Sequence, residues 1–131
     1  FCKLNNRKIY LANDIKLAIK LNLNGAYIPS FNKKLAIKRY TIKKNFVLLG
    51  SAHNIFEIKI KEKQGIDVLF LSPLFQTKNY KQGLGIFKFN SLTKFYQKKI
   101  VALGGINKKN IRKLKNTNAS GFSGISYFKN S

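Results

Sequence analysis

Methionine and tryptophan are absent from this sequence, cysteine and histidine occur once each, and four acidic residues stand against 26 basic ones. The lone Cys2 has no partner within the chain, which excludes an internal disulfide and makes a cytosolic setting the expectation. No charged-then-apolar leader precedes the first strand-like run, in keeping with that compartment. The longest apolar run, VLFLSPLF at 68–75, falls far short of the roughly 20 residues a membrane helix needs. Ser72 and Pro73 interrupt it, so a soluble protein is expected. With no starting methionine and Phe1 as the first residue, the chain is expected to be a segment whose N-terminal part lies upstream.

What the sequence has in abundance is positive charge, +22 in all. Clustered basic residues neutralise phosphates and release counterions, so a nucleic-acid-binding protein is one reading of that figure. The distribution argues against it. Arg7, Arg39 and Arg112 are the only arginines, whereas base readout and bidentate phosphate contacts favour arginine. The lysines run through every helical segment instead of forming one arm or stripe. Richness in Lys, Asn and Ile fits the codon supply of an AT-rich genome, and the charge still draws anionic substrates. Neither a nucleic-acid partner nor a membrane partner is expected.

At 44% hydrophobic residues the composition is that of a globular domain. Apolar or β-branched runs at 8–12, 25–29, 46–50, 67–72, 99–105 and 121–126 alternate with segments of helical spacing. In the first of these, Ile15, Leu17, Ala18, Ile19 and Leu21 make a broad apolar face, and Asp14 stands where a carboxylate caps the helix. Similar patterns fill 33–44, 54–64, 90–98 and 108–116. Strand, helix, strand at a period of about 20 residues predicts βαβ units and a parallel sheet. The strands are nearly continuous in apolar residues, as strands covered on both faces should be.

An open doubly wound layer and part of a (β/α)8 TIM barrel both satisfy that pattern. The last two strands end in GGIN (104–107) and SGIS (123–126). Glycine-bearing loops after the last two strands are where such barrels hold a phosphate. The expected architecture is therefore a single α/β barrel domain over 1–131, supplying about strands three to eight, with the first two βα units missing. A complete barrel needs at least ~200 residues.

Five stretches in order carry a family likeness: LANDIKLAIKLNLNGAYIP, GSAHNIFEIKIKEKQGIDVLFLSPLFQT, LGIFKF, IVALGGINKKNIRKL and SGFSGIS. Together they resemble thiamine phosphate synthase and the related TenI-like thiazole tautomerases. The resemblance implies a transferase of thiamine biosynthesis that joins hydroxymethylpyrimidine diphosphate to thiazole phosphate and releases pyrophosphate. Such a site must stabilise a leaving diphosphate, usually with Mg²⁺, and hold a second phosphate. By position, Asn13 would bind the diphosphate and Asp14 would ligate Mg²⁺. Ser51, at the end of its strand, corresponds to a diphosphate-binding serine, and a helix cap is its ordinary structural use. In the loop at 72–85 the resemblance makes Thr77 and Asn79 donors to the diphosphate. Tyr80 stands where a lysine should follow, leaving Lys81, ahead of Lys78, to reach the phosphate. Gly105, Ile125 and Ser126 would present backbone N–H groups to the thiazole phosphate.

Family members carry a second metal carboxylate after the strand at 25–29, and this chain has PSFN there, so Asn32 takes its place. An amide oxygen can ligate Mg²⁺ without adding charge, so weaker metal binding is expected. His53, the only histidine, stands where the tautomerases keep a proton-moving histidine, and an imidazole suits that task near neutral pH. Synthases also carry a serine and histidine in this spacing. A metal-independent tautomerase, or a degenerate relative without synthase activity, is accordingly the alternative expectation.

Overall fold

The computed structural model describes residues 6–36, 43–124 and 127. Six strands, β1 (Tyr10–Ala12), β2 (Gly25–Ile28), β3 (Val47–Ala52), β4 (Val68–Leu71), β5 (Lys99–Leu103) and β6 (Gly121–Ser123), form one sheet in the order β1-β2-β3-β4-β5-β6. Every neighbouring pair is parallel. A doubly wound sheet reverses its strand order at a switch point, and this order never reverses, which rules that alternative out. Between the strands lie α1 (Ile15–Lys20), α2 (Ile55–Gln64), α3 (Gly85–Thr93) and a 3₁₀ helix at Ile111–Asn116.

Local chemistry explains where the helices start and stop. Asp14 Oδ1 accepts the Leu17 N–H at 2.9 Å, capping α1, and the chain leaves that helix through Asn22 at φ 54, a conformation asparagine tolerates. Asn54 accepts the Glu57 N–H at 3.0 Å to cap α2. Gly65, at φ 77, closes α2 in the left-handed conformation, with its N–H on the Glu62 carbonyl.

Strand parity sorts the side chains. On one face Ala26, Ile28, Leu48, Ala52, Leu69, Leu71, Ile100 and Ala102 are buried beneath the helices. They join two clusters, one with Ile15, Ala18, Phe46 and Ile66, the other with Ile58, Leu74, Phe89, Leu92, Tyr96 and Ile106. The Tyr96 hydroxyl ties them together by donating to the Ile66 carbonyl. On the other face Tyr27, Leu49, Phe70, Val101 and Leu103 are only half-buried. The expectation of strands covered on both faces is thus corrected: among the described residues helices cover one face alone.

Two helix expectations shift as well. The helix expected at 90–98 runs instead over Gly85–Thr93. Its entry is set by tertiary hydrogen bonds, Leu84 N–H to the Pro73 carbonyl and Gly85 N–H to the Leu74 carbonyl. The segment at 108–116 forms a 3₁₀ helix only over Ile111–Asn116. Of the helix expected at 33–44, residues 37–42 lie outside the described residues.

Candidate functional site at the carboxyl ends of the strands

A parallel sheet brings the carboxyl ends of all its strands to one rim, and most of the candidate residues lie there. The chain leaves β1 through Asn13, at φ 59, whose N–H donates to the Tyr27 carbonyl at 2.7 Å. Across the gap Asn32, in the loop after β2, donates from Nδ2 to Asn13 Oδ1 at 2.7 Å. That bond turns the Asn13 oxygen toward Asn32 and leaves both Nδ2 hydrogens to be presented to a ligand, which suits an anion. Asn32 Oδ1 accepts the Lys34 N–H at 3.0 Å and keeps one lone pair. Asp14 spends Oδ1 on the helix cap, leaving Oδ2 for a cation. Asn13, Asp14, Lys16, Asn32, Lys33 and Lys34 line a cleft of about 610 Å³ with Ile28 and Phe31.

Among the described residues no three His, Cys, Asp or Glu side chains stand close enough to hold a metal. Asp14 is the only carboxylate among the residues lining the cleft. Mg²⁺ is commonly bound through one or two carboxylates and completes its octahedron with substrate phosphates and water. The donor set here, one carboxylate and two amides among three lysines, fits Mg²⁺ arriving with a phosphate-bearing ligand and does not fit a bare cation.

Loop placement behind this cleft depends on α2. Lys61 is completely buried, and its stem lies over Gly50, where an added Cβ would come within 3.2 Å of Lys61 Cδ. The ammonium donates to the Pro29 carbonyl at 2.7 Å, the Asn32 carbonyl at 2.8 Å and Gln64 Oε1 at 2.8 Å. Gln64 Nε2 donates to the Asn32 carbonyl at 2.9 Å and the Lys34 carbonyl at 3.1 Å. Burial lowers the Lys61 pKa from 10.5 to about 8, with Glu57 acting in the opposite direction.

Ser51 is buried at the end of β3, beside Phe70 of β4. It is not a helix cap, since Asn54 fills that role. His53 follows directly. Glu57 Oε2 accepts its backbone N–H at 2.7 Å and pairs with Nδ1 at 3.0 Å. A carboxylate on Nδ1 holds the proton there and makes Nε2 the nitrogen available to a ligand. The imidazole stacks on Tyr80, with ring centroids 5.7 Å apart and planes 25° apart. It is partly exposed, hence no core residue. Tyr80 belongs to the loop after β4, where its N–H donates to Thr77 Oγ1 at 3.1 Å and its carbonyl accepts the Thr77 N–H at 2.9 Å. Asn79 and Lys81 are exposed on the same loop.

At the end of β5, Gly105 adopts φ 69, and a Cβ there would lie 2.4 Å from the Gln76 carbonyl oxygen. The loops after β4 and β5 run backbone against backbone, with Leu74 N–H on the Leu103 carbonyl at 2.8 Å and Phe75 N–H on the Gly104 carbonyl at 3.1 Å. Ile125 and Ser126 lie outside the described residues.

Two groups therefore assemble on the rim: Asn13, Asp14 and Asn32 in the cleft, and His53 with the loop carrying Thr77, Asn79 and Lys81. Sequence reasoning missed the lysines of the cleft, the Tyr80 stack and the Lys61–Gln64 pair. One signal for the last was present, because a stripe through Ile58 at helical spacing falls on Lys61, where an apolar residue belongs.

The fold and the rim define a singly wound parallel α/β protein with a polar, lysine-bearing cleft at its strand ends. Residues 1–128 match the thiamine monophosphate synthase family, and the chain belongs to that family. It is 33% identical over 119 residues to the putative thiamine-phosphate synthase 2 of Aquifex aeolicus, covering 88% of this chain and 61% of that protein. Identity to the thiamine-phosphate synthase of Prochlorococcus marinus is 31% over 117 residues, 88% of this chain and 33% of that one. A solved thiamine phosphate pyrophosphorylase from Pyrococcus furiosus superposes with a TM-score of 0.72 at 20% identity, over 95% of this chain and 60% of the other. The chain spans from about one third to about three fifths of the length of these relatives. No helix among the described residues is long and apolar enough to cross a membrane.

Proposed function

We propose that the protein is a cytosolic thiamine phosphate synthase, condensing hydroxymethylpyrimidine diphosphate with thiazole phosphate to give thiamine phosphate and pyrophosphate. The observation that carries this is the Asn13–Asp14–Asn32 arrangement. One amide is turned so that its N–H groups meet an anion, beside one carboxylate oxygen left for a cation, in a chain of this family.

In this scheme Asn13 Nδ2 donates to the diphosphate, while Asp14 and the remaining Asn32 oxygen lone pair hold Mg²⁺. The metal, when bound, neutralises charge developing on the leaving diphosphate. Ser51, Thr77, Asn79 and Lys81 contact the same diphosphate from the neighbouring strand ends. Gly105 would offer its N–H to the thiazole phosphate, and the family likeness assigns the same role to Ile125 and Ser126. The half-buried apolar face of Tyr27, Leu49, Phe70, Val101 and Leu103 is the face that a closed barrel buries inside itself, which supports a complete (β/α)8 barrel for the whole protein.

The second reading is the tautomerase. Its support is the Glu57-oriented imidazole of His53, whose Nε2 is left for proton transfer. One set of assays separates the two: both synthase substrates, and in parallel the thiazole carboxylate phosphate tautomer, are supplied with and without Mg²⁺. Thiamine phosphate and pyrophosphate should appear only with the metal. Conversion of a thiazole carboxylate phosphate tautomer, with no thiamine phosphate formed, would sink the synthase reading.

A further inference from the structure

We infer that Lys61, with Gln64, is the positioning residue of the cleft: from inside α2 it holds the Pro29–Lys34 loop so that Asn32 orients the Asn13 amide toward an anionic ligand. This rests on the site described above and extends it to residues that touch no substrate.

The chain of contacts is continuous. Lys61 Nζ grips the loop at two carbonyls, Pro29 at 2.7 Å and Asn32 at 2.8 Å. Gln64 takes a second hold on the Asn32 carbonyl and a first on that of Lys34. Lys61 and Gln64 are also bonded to each other at 2.8 Å, so their contacts with the carbonyls of Pro29, Asn32 and Lys34 act as one clamp. The clamped residue, Asn32, is the one whose Nδ2 engages Asn13 Oδ1. An asparagine amide free to turn over presents oxygen or nitrogen with similar ease, and oxygen facing a diphosphate is repulsive. Fixing Asn32 therefore decides which end of Asn13 the ligand meets.

The placement is costly, which argues for a function beyond packing. A buried ammonium gives up its hydration, and a well-packed apolar residue of similar volume often serves stability as well or better. Lys61 occupies a fully buried position over Gly50 that a methionine would fill. Every hydrogen bond its ammonium makes outside its own helix ends on the loop that forms the cleft wall.

The test compares the full chain with Lys61→Met, Asn32→Ala and the double variant, using Mg²⁺ with inorganic pyrophosphate as the probe. Lys61→Met should lose about tenfold in pyrophosphate affinity, the usual scale for partners that orient a ligand-binding group, and Asn32→Ala at least as much, since it also removes the proposed metal donor. The double variant should lose no more than Asn32→Ala alone, because Lys61 acts through Asn32. Amide hydrogen exchange at Asn32 and Lys34, now bonded to the Pro29 carbonyl and to Asn32 Oδ1, should accelerate at least tenfold in Lys61→Met while melting stays cooperative. Unchanged exchange at those amides, or a loss in the double variant that equals the product of the two single losses, overturns the inference. If the parent protein does not bind Mg²⁺–pyrophosphate, the functional reading fails and hydrogen exchange still decides the role of Lys61. Should Lys61→Met fail to fold, Gln64→Met, which removes the other half of the clamp, is read by the same exchange measurement.

Discussion

The buried ammonium of Lys61 predicts a distinctive dependence of stability on pH. Its pKa falls from 10.5 to about 8 on folding, chiefly through burial. Below about pH 8 both the folded and the unfolded chain carry the proton, and the folded state bears the full cost of burying it. Between about 8 and 10.5 the unfolded chain holds a proton that the folded one has released, so stability rises with pH. A tenfold difference in proton affinity between the folded and unfolded chain corresponds to about 1.4 kcal/mol, so the rise across this window is on the order of 3 kcal/mol. Tyr96 works the opposite way. Burial, reinforced by Asp67 and Glu62, holds its phenol well above 10, so its contribution is present below pH 10 and lost as pH climbs beyond. That effect is shared by Lys61→Met and cancels in the difference. Urea melts of both proteins at intervals from pH 7 to 10.5 should show the parent gaining about 3 kcal/mol relative to the variant. Two stability curves that run parallel across that range would refute the reasoning.

Asp14→Ser keeps a side-chain acceptor for the Leu17 N–H, so stability should change by less than about 0.5 kcal/mol. Mg²⁺-dependent thiamine phosphate formation should disappear, and full activity in that variant would remove Asp14 from the metal. His53→Asn should leave thiamine phosphate formation within about threefold, since Glu57 orients an imidazole that the synthase chemistry does not consume. A loss of about a hundredfold or more in steady-state assays would refute this and place the imidazole in the synthase reaction itself. Gly105→Ala places a methyl group 2.4 Å from the Gln76 carbonyl oxygen at φ 69. It should cost at least about 2 kcal/mol in thermal melts, combining the left-handed penalty with the displaced loop.

Much of this molecule is legible in its residues alone. Short apolar runs alternating with amphipathic ones specify parallel βαβ units because each strand must be covered and each crossover must bridge two strands. Asp14 announces its cap, and Gly65 ends α2, for reasons confined to a few neighbouring peptide groups. The family likeness placed Asn13, Asp14 and Asn32 as candidates, and the fold brings them to a single cleft. Other features depend on partners distant along the chain. The start of α3 at Gly85 is set by the carbonyls of Pro73 and Leu74, so helical periodicity at 90–98 caught only the last turn of a helix that ends at Thr93.

Lys61 marks the boundary between local and tertiary information. By composition it is one more lysine among 26 basic residues, and although helical spacing sets it on the stripe of Ile58, a lysine on a helix ordinarily faces water. Its burial becomes tolerable because carbonyls some 30 residues earlier, at Pro29 and Asn32, converge on its ammonium. His53 follows the same logic, since Glu57 one helical turn away is legible in the sequence but the Tyr80 ring comes from another strand's loop. Secondary structure and helix caps follow from short-range backbone chemistry, which a linear pattern records. The direction an amide faces and the burial of a cation are set by atoms that only folding brings within 3 Å, and no local pattern encodes that distance.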